Sequence, residues 1–149
     1  MVTAERTVVV EKRRRFYLDT SAYLCMLLRE QGSEALSRET TGAELLSSVL
    51  LILEAKRNLV RLTREGVLQS QQYKECVTRL DSDVDFFLLA DVTLSICQSN
   101  TIPAISTPRS LDLVHLRTAL WFHSIERIDR FITNDESQRY AAKELGLPT

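Results

Sequence analysis

Turn-forming residues are scarce in this chain of 149 residues: 4 Gly and 3 Pro leave few points at which it can break. Such a chain should run in long helices with short connections, and it contains neither a linker between domains nor an internal repeat. Cysteine is equally sparse. Cys25, Cys76 and Cys97 are odd in number, widely spaced and without a CxxC pair, which excludes a disulfide framework and a structural zinc site and leaves reduced, mostly packing residues. Apolar runs such as Val49 to Leu53 fall far short of the roughly 20 residues that span a bilayer. Near the N-terminus the basic cluster follows a short Val run rather than preceding a longer apolar one. That is the wrong order for a secretory signal, so a cytoplasmic protein is expected.

An excess of either charge is also missing, because 19 Lys plus Arg face 20 Asp plus Glu, with a net charge of −1 and a pI near 6.1. This excludes a whole-surface polycation, and any nucleic-acid contact must come from local placement. Lysine is the rare cation, 4 against 15 arginines. Arginine suits bidentate contacts with phosphate or carboxylate, although the bias also fits the codon habits of a GC-rich genome. What the chain does have is an ordinary globular composition, 44% hydrophobic and 26% charged, enough for one domain with a real core.

The patterning alternates strands with helices. Residues 1–14 read as an extension, with Lys12 to Arg15 a solvated basic edge, and Arg14 to Asp19 reads as the first strand, followed by a helix to about Glu30. Glu44 to Ser47 is a second strand and Ser48 to Glu65 a long helix whose early turns are apolar all round. A helix follows from Ser70, and Val84 to Ala90, apolar but for Asp85, is a run of the kind covered on both faces in a parallel sheet. Asp91 opens another helix, Thr101 to Ser110 is a Pro-containing loop, and a helix starts at Ser110. Ile128 to Thr133 is the last strand and Asp135 to Leu145 the last helix. The whole predicts an α/β fold, a three-layer α/β/α sandwich with a mainly parallel central sheet.

In such folds the binding crevice lies beyond the carboxyl ends of the strands. Asp19, Glu54, Asp112 and Asp135 all fall where they can point at that end. Together they would repel one another unless cations neutralise them, and hard oxygen donors suit Mg²⁺ or Mn²⁺. Each acid alone also has a structural reading. Asp135 with Gln138 makes a capping box, Asp112 suits a helix N-terminus, Asp19 can cap the first helix, and Glu54 shares a helix face with Arg57 and Arg61. His115, three residues after Asp112 on the same helix face, suggests general acid–base catalysis, but metal-activated water needs no histidine and a structural role is the expectation. Asp81, Asp83 and Asp85 imitate the start of a calcium loop, but Phe86 stands where Gly is needed and no Glu closes it.

Four segments in order carry a resemblance: YLDTSAY (Tyr17 to Tyr23), SSVLLILEAKR (Ser47 to Arg57), RSLDLVHLRTAL (Arg109 to Leu120) and FITNDESQRYAAKELGLP (Phe131 to Pro148). Over residues 15–149 the chain resembles the PIN-domain nucleases, particularly the VapC-like toxins of type II toxin–antitoxin systems. The resemblance implies a metal-dependent endoribonuclease that leaves 5′-phosphate and 3′-hydroxyl ends. Asp19, Glu54, Asp112 and Asp135 would be its catalytic acids and the ligands of one or two Mg²⁺ or Mn²⁺ ions. Ser21, Thr133, Thr20 and Asn134 would support the metal and its water, and Arg57, Arg109, Arg117 and Arg139 would contact RNA phosphates. It also implies a transfer or ribosomal RNA loop as substrate, a VapB-like antitoxin and a homodimer. The competing readings are a catalytically inactive PIN-fold adaptor for RNA or protein and a DNA-directed nuclease of the same fold.

Overall fold

The computed structural model describes residues 10–149, so residues 1–9 of the expected extension lie outside the described residues, and 10–14 carry no regular secondary structure. Four parallel strands, β1 (Arg15–Leu18), β2 (Glu44–Ser48), β3 (Phe87–Ala90) and β4 (Arg130–Ile132), pair in the order β3-β2-β1-β4. Between them run α1 (Thr20–Leu27), α2 (Ser33–Thr40), α3 (Leu50–Arg64), α4 (Ser70–Asp83), α5 (Leu94–Gln98), α6 (Ser110–Ile125) and, after β4, α7 (Glu136–Glu144). This is the expected α/β sandwich with its parallel sheet.

Strand periodicity decides which layer each side chain joins. In β1, Tyr17 packs with Leu46, Phe131, Leu116, Phe122 and Ala142 on the side of α6 and α7. Its neighbours Phe16 and Leu18 face the other way, onto Ala22, Ile132 and Leu36 beneath α1 and α2. A third cluster, Tyr23, Leu27, Leu51, Ala55, Leu59 and Leu80, joins α1, α3 and α4. With β1 flanked on both sides, all four of its residues are buried.

Several expectations need correction. Val84 to Ala90 is not one covered strand: Val84–Phe86 form a 3₁₀ turn, and the strand that follows pairs only with β2. As the sheet's edge it is half open to solvent, with Leu88 49% exposed. Helix α2 went unseen because SEALSRET offers only Ala and Leu as apolar residues. Helix α1 ends at Leu27 rather than near Glu30, with Arg29 in the left-handed region at φ 53°. Helix α5 opens not at Asp91 but after Thr93, whose hydroxyl accepts from the Ile96 N–H. Among the cysteines Cys25 is buried, but Cys97 is exposed and so is not a packing residue.

The basic run is also not all solvated edge, because Arg15 is only 6% exposed. Its Nε donates to Glu44 at 2.6 Å and its Nη1 to the Glu126 carbonyl, while its own N–H donates to Asp129 Oδ2 at 2.7 Å. The guanidinium and backbone of Arg15 thereby tie the start of β1 to β2 and to the turn before β4. Arg15→Ala should therefore cost about 2 kcal/mol of stability in urea denaturation. Arg13→Ala, on the exposed side of the same run, should stay within about 0.5 kcal/mol.

Candidate functional site

The carboxyl end of the sheet is built around Asp19, the residue after β1. Its backbone N–H donates to the Ile132 carbonyl at 3.1 Å, which sets it beside the end of β4. One carboxylate oxygen accepts from Ser21 Oγ at 2.7 Å and from the Ala22 N–H at 3.0 Å, so Asp19 caps α1. The other accepts from Thr133 Oγ1. Ser21 Oγ and Thr133 Oγ1 also meet at 3.1 Å, and each accepts a backbone N–H, from Asn134 and Asp135 respectively. Asp19 is nonetheless buried, and burial pushes its carboxyl above the ordinary range, only partly offset by these donors.

Glu54 reaches the same end from the second turn of α3. Its Oε1 accepts from Thr20 Oγ1 at 2.8 Å and from His115 Nε2 at 2.8 Å. Burial pushes its carboxyl up, but the hydrogen bond and charge of His115, with the Thr20 hydroxyl, outweigh that and hold it below the ordinary range. His115 Nδ1 meets the hydroxyl of Tyr17 at 2.8 Å. Burial and the nearby charge of Asp19 raise the Tyr17 phenol well above its usual value, so it stays protonated.

Asp112 lies in the first turn of α6 and Asp135 caps α7, its Oδ1 accepting from the N–H groups of Ser137 and Gln138. Gln138 joins the two helices by donating from Nε2 to the Asp112 carbonyl at 2.8 Å. Burial raises the Asp112 carboxyl; Arg109, 3.5 Å away, opposes it, and the charges of Asp135 and Glu54 push it up further. Asp112 thus lies within reach of the charges of both Asp135 and Glu54. Asp112 and Asp135 line an open cleft of about 530 Å³ with Ser106, Arg109, Gln138 and Tyr140. The loop forming its wall has no regular structure but is held at two points. Glu144 accepts from the N–H groups of Ile105 and Ser106, and Arg117 donates to the carbonyls of Ile96, Cys97 and Thr101.

The four arginines part company. Arg117 serves the loop, and Arg139 donates to the Thr133 carbonyl at 3.0 Å and to Glu136. Arg109 stands at the rim with its side chain 88% exposed. Arg57 is exposed on α3 beside Leu53 and Val60. The residues that sequence reasoning missed are Tyr17 and Gln138. Gln138 sits one turn from Asp135, a spacing that was visible only as a capping box, and Tyr17 read as a strand residue.

Among the described residues no three His, Cys, Asp or Glu side chains form a ready-made metal cage. Still, Glu54 Oε2, Asp112 Oδ1 and Asp135 Oδ2 take no hydrogen bond among these residues, and Arg109 is the one arginine or lysine among them paired with the group. Uncompensated hard oxygens fit a hydrated Mg²⁺ or Mn²⁺, since Mg²⁺ is held by one or two carboxylates and keeps several waters. No protein-family model matches the chain, and neither does any curated protein.

Because Asp112 is held above the ordinary carboxylate range in the fold, the folded state binds its proton more readily than the unfolded chain does. The ionised group therefore costs stability at pH 7, and the cost disappears as pH falls through the raised value. Asp112→Asn should raise the Tm in EDTA at pH 7, with the gain over the parent shrinking towards pH 4. Equal gains at both pH values in thermal melts would contradict the repulsion.

Proposed function

We propose that this protein is a Mg²⁺- or Mn²⁺-dependent endoribonuclease. The observation that carries it is the gathering of Glu54, Asp112 and Asp135 at the sheet end that holds the buried Asp19, where the charges of Asp135 and Glu54 act on Asp112 and carboxylate oxygens are left over. Asp19 and Asp112 are held above the ordinary carboxylate range, so their ionised forms cost the fold stability that a bound cation would return. Support comes also from the four segments that resemble the PIN-domain nucleases, because each carries one of these acids.

In this reading Glu54, Asp112 and Asp135 hold the metal through their free oxygens, and Asp19 sets the negative field beneath it. When bound, a divalent ion supplies Lewis-acid polarisation of the phosphodiester and lowers the pKa of water. Ser21 and Thr133 keep the Asp19 carboxylate fixed through O–H donors, and the Asn134 N–H holds Ser21 in turn. Arg109 at the rim and Arg57 on α3 are free to meet phosphates flanking the cut. Arg117 and Arg139 act at one remove, by holding the loop and the Thr133 carbonyl. The proposal extends to an RNA loop as substrate, a VapB-like antitoxin as inhibitor, a homodimer and a cytoplasmic location. Among the described residues no helix is long and apolar enough to cross a membrane.

One observation favours a second reading, a PIN-fold adaptor without catalysis: Asp19 and Asp135 both make helix caps that would persist without any metal. Incubating the purified protein with total RNA and Mg²⁺ or Mn²⁺, against EDTA, separates the two. Cleavage should need the metal, leave 5′-phosphate ends, and fall by about 100-fold or more in Glu54→Gln, since loss of a ligand costs at least as much as loss of the group behind it, and by about 10- to 100-fold in Asp19→Asn, which removes the charge beneath the metal. RNA binding without cleavage under any metal supports the adaptor instead.

A further inference from the structure

We propose that His115 and Tyr17 are positioning residues that hold one oxygen of Glu54 inward so that the other faces the crevice; this rests on the reading of Glu54 as a metal ligand. The structure places a line of three side chains from the core to the site. Tyr17, fully buried in β1, stacks on Phe131 with ring centroids 5.4 Å apart and planes at 7°, and meets His115 edge-on at 5.9 Å. His115 is 2% exposed, so both of its ring nitrogens must find partners within the protein. They do, Nδ1 on the Tyr17 hydroxyl and Nε2 on Glu54 Oε1, each at 2.8 Å.

The partners fix the direction of each hydrogen bond. A carboxylate oxygen only accepts, so Nε2 must carry a hydrogen. In the neutral ring Nδ1 then has a lone pair, which the Tyr17 hydroxyl fills as donor. Thr20 Oγ1, 3.1 Å from Nε2, spends its own proton on the same Glu54 oxygen. Oε1 thus receives two donors and Oε2 none. A glutamate on a helix surface ordinarily samples several rotamers, and each costs conformational entropy to freeze on binding a cation. Here that cost is met during folding, by a histidine from a helix 61 residues further along the chain. The logic is that of a residue behind a metal ligand, which orients it and is lost at about 10- to 100-fold in affinity or activity.

Three measurements on the full-length protein test this. Long-range ¹H–¹⁵N spectra of the metal-free protein should show the His115 ring protonated at Nε2; a ring protonated at Nδ1 alone overturns the proposal whatever the activity. Mn²⁺ titration followed by calorimetry should show His115→Leu binding about 10- to 100-fold more weakly and Tyr17→Phe about 3- to 10-fold more weakly. His115→Gln, whose amide can still donate to Glu54, should recover most of the loss. Near-UV circular dichroism identifies variants that keep the fold, and should His115→Leu fail to fold, Tyr17→Phe and His115→Gln carry the comparison. If folded His115→Leu or Tyr17→Phe binds Mn²⁺ and cleaves RNA like the parent while Asp19→Asn does not, the positioning role is wrong and the nuclease reading stands. If the parent itself neither binds Mn²⁺ nor cleaves RNA, both fall.

Discussion

A carboxylate buried at the end of an interior strand is the constraint on which the site depends. Asp19, at the end of β1 between β2 and β4, is only 4% exposed, and an isolated charge there would be too costly to keep. It is tolerated because three donors converge on it from two segments 114 residues apart, the start of α1 and the end of β4. The same donors impose order on their surroundings. Ser21 and Thr133 cannot serve Asp19 without fixing the Asn134 and Asp135 backbone, and Asp135 cannot cap α7 elsewhere. The position of the last acid is therefore set by the first.

Parallel strands explain why the remaining acids arrive at the same end. Every strand of a parallel sheet points its carboxyl end the same way, so each following helix begins there, and its first turns hold whatever acids the sequence supplies. Glu54 and Asp135 follow β2 and β4 directly. Asp112 is different, since α6 is preceded by a long loop rather than by a strand. Its place depends on the anchors Arg117 and Glu144 at two points of that loop and on Gln138, which ties the Asp112 carbonyl to α7. Gln138 is 2% exposed and its amide oxygen has no partner among the described residues. Such an orphan costs stability, and it accompanies the one bond that couples the helices of Asp112 and Asp135.

What the sequence made legible follows from where the information lies. The alternation of apolar strands with capped helices carried the fold class, because burial on both faces leaves its mark residue by residue. Acids at strand ends were legible for the same reason. Helix α2 was not, since it covers the sheet with little more than Leu36 and reads as a polar connection. The edge position of β3 was hidden because FFLLA looks the same whether or not a fifth element covers it. Arg15 and His115 were read for what their neighbours in sequence suggested, a basic edge and a packing histidine. Their partners, Glu126 and Glu54, lie 111 and 61 residues away, and no local pattern announces such pairings.

Near-zero net charge conceals an uneven distribution. Of the four arginines expected around the acids, Arg117 and Arg139 spend their donors on carbonyls that build the crevice, which leaves Arg109 as the only one paired with a site acid. An anionic chain approaching this end of the sheet meets more negative than positive charge at close range. Arg57 and Arg109 at the rim cannot reverse that, because exposed charges are screened within about 10 Å at 0.1 M salt, while the buried acids are screened far less. In the proposed reading the order of events is therefore imposed by electrostatics: the cation must bind before the nucleic acid, since only then does the crevice change from repelling phosphate to attracting it.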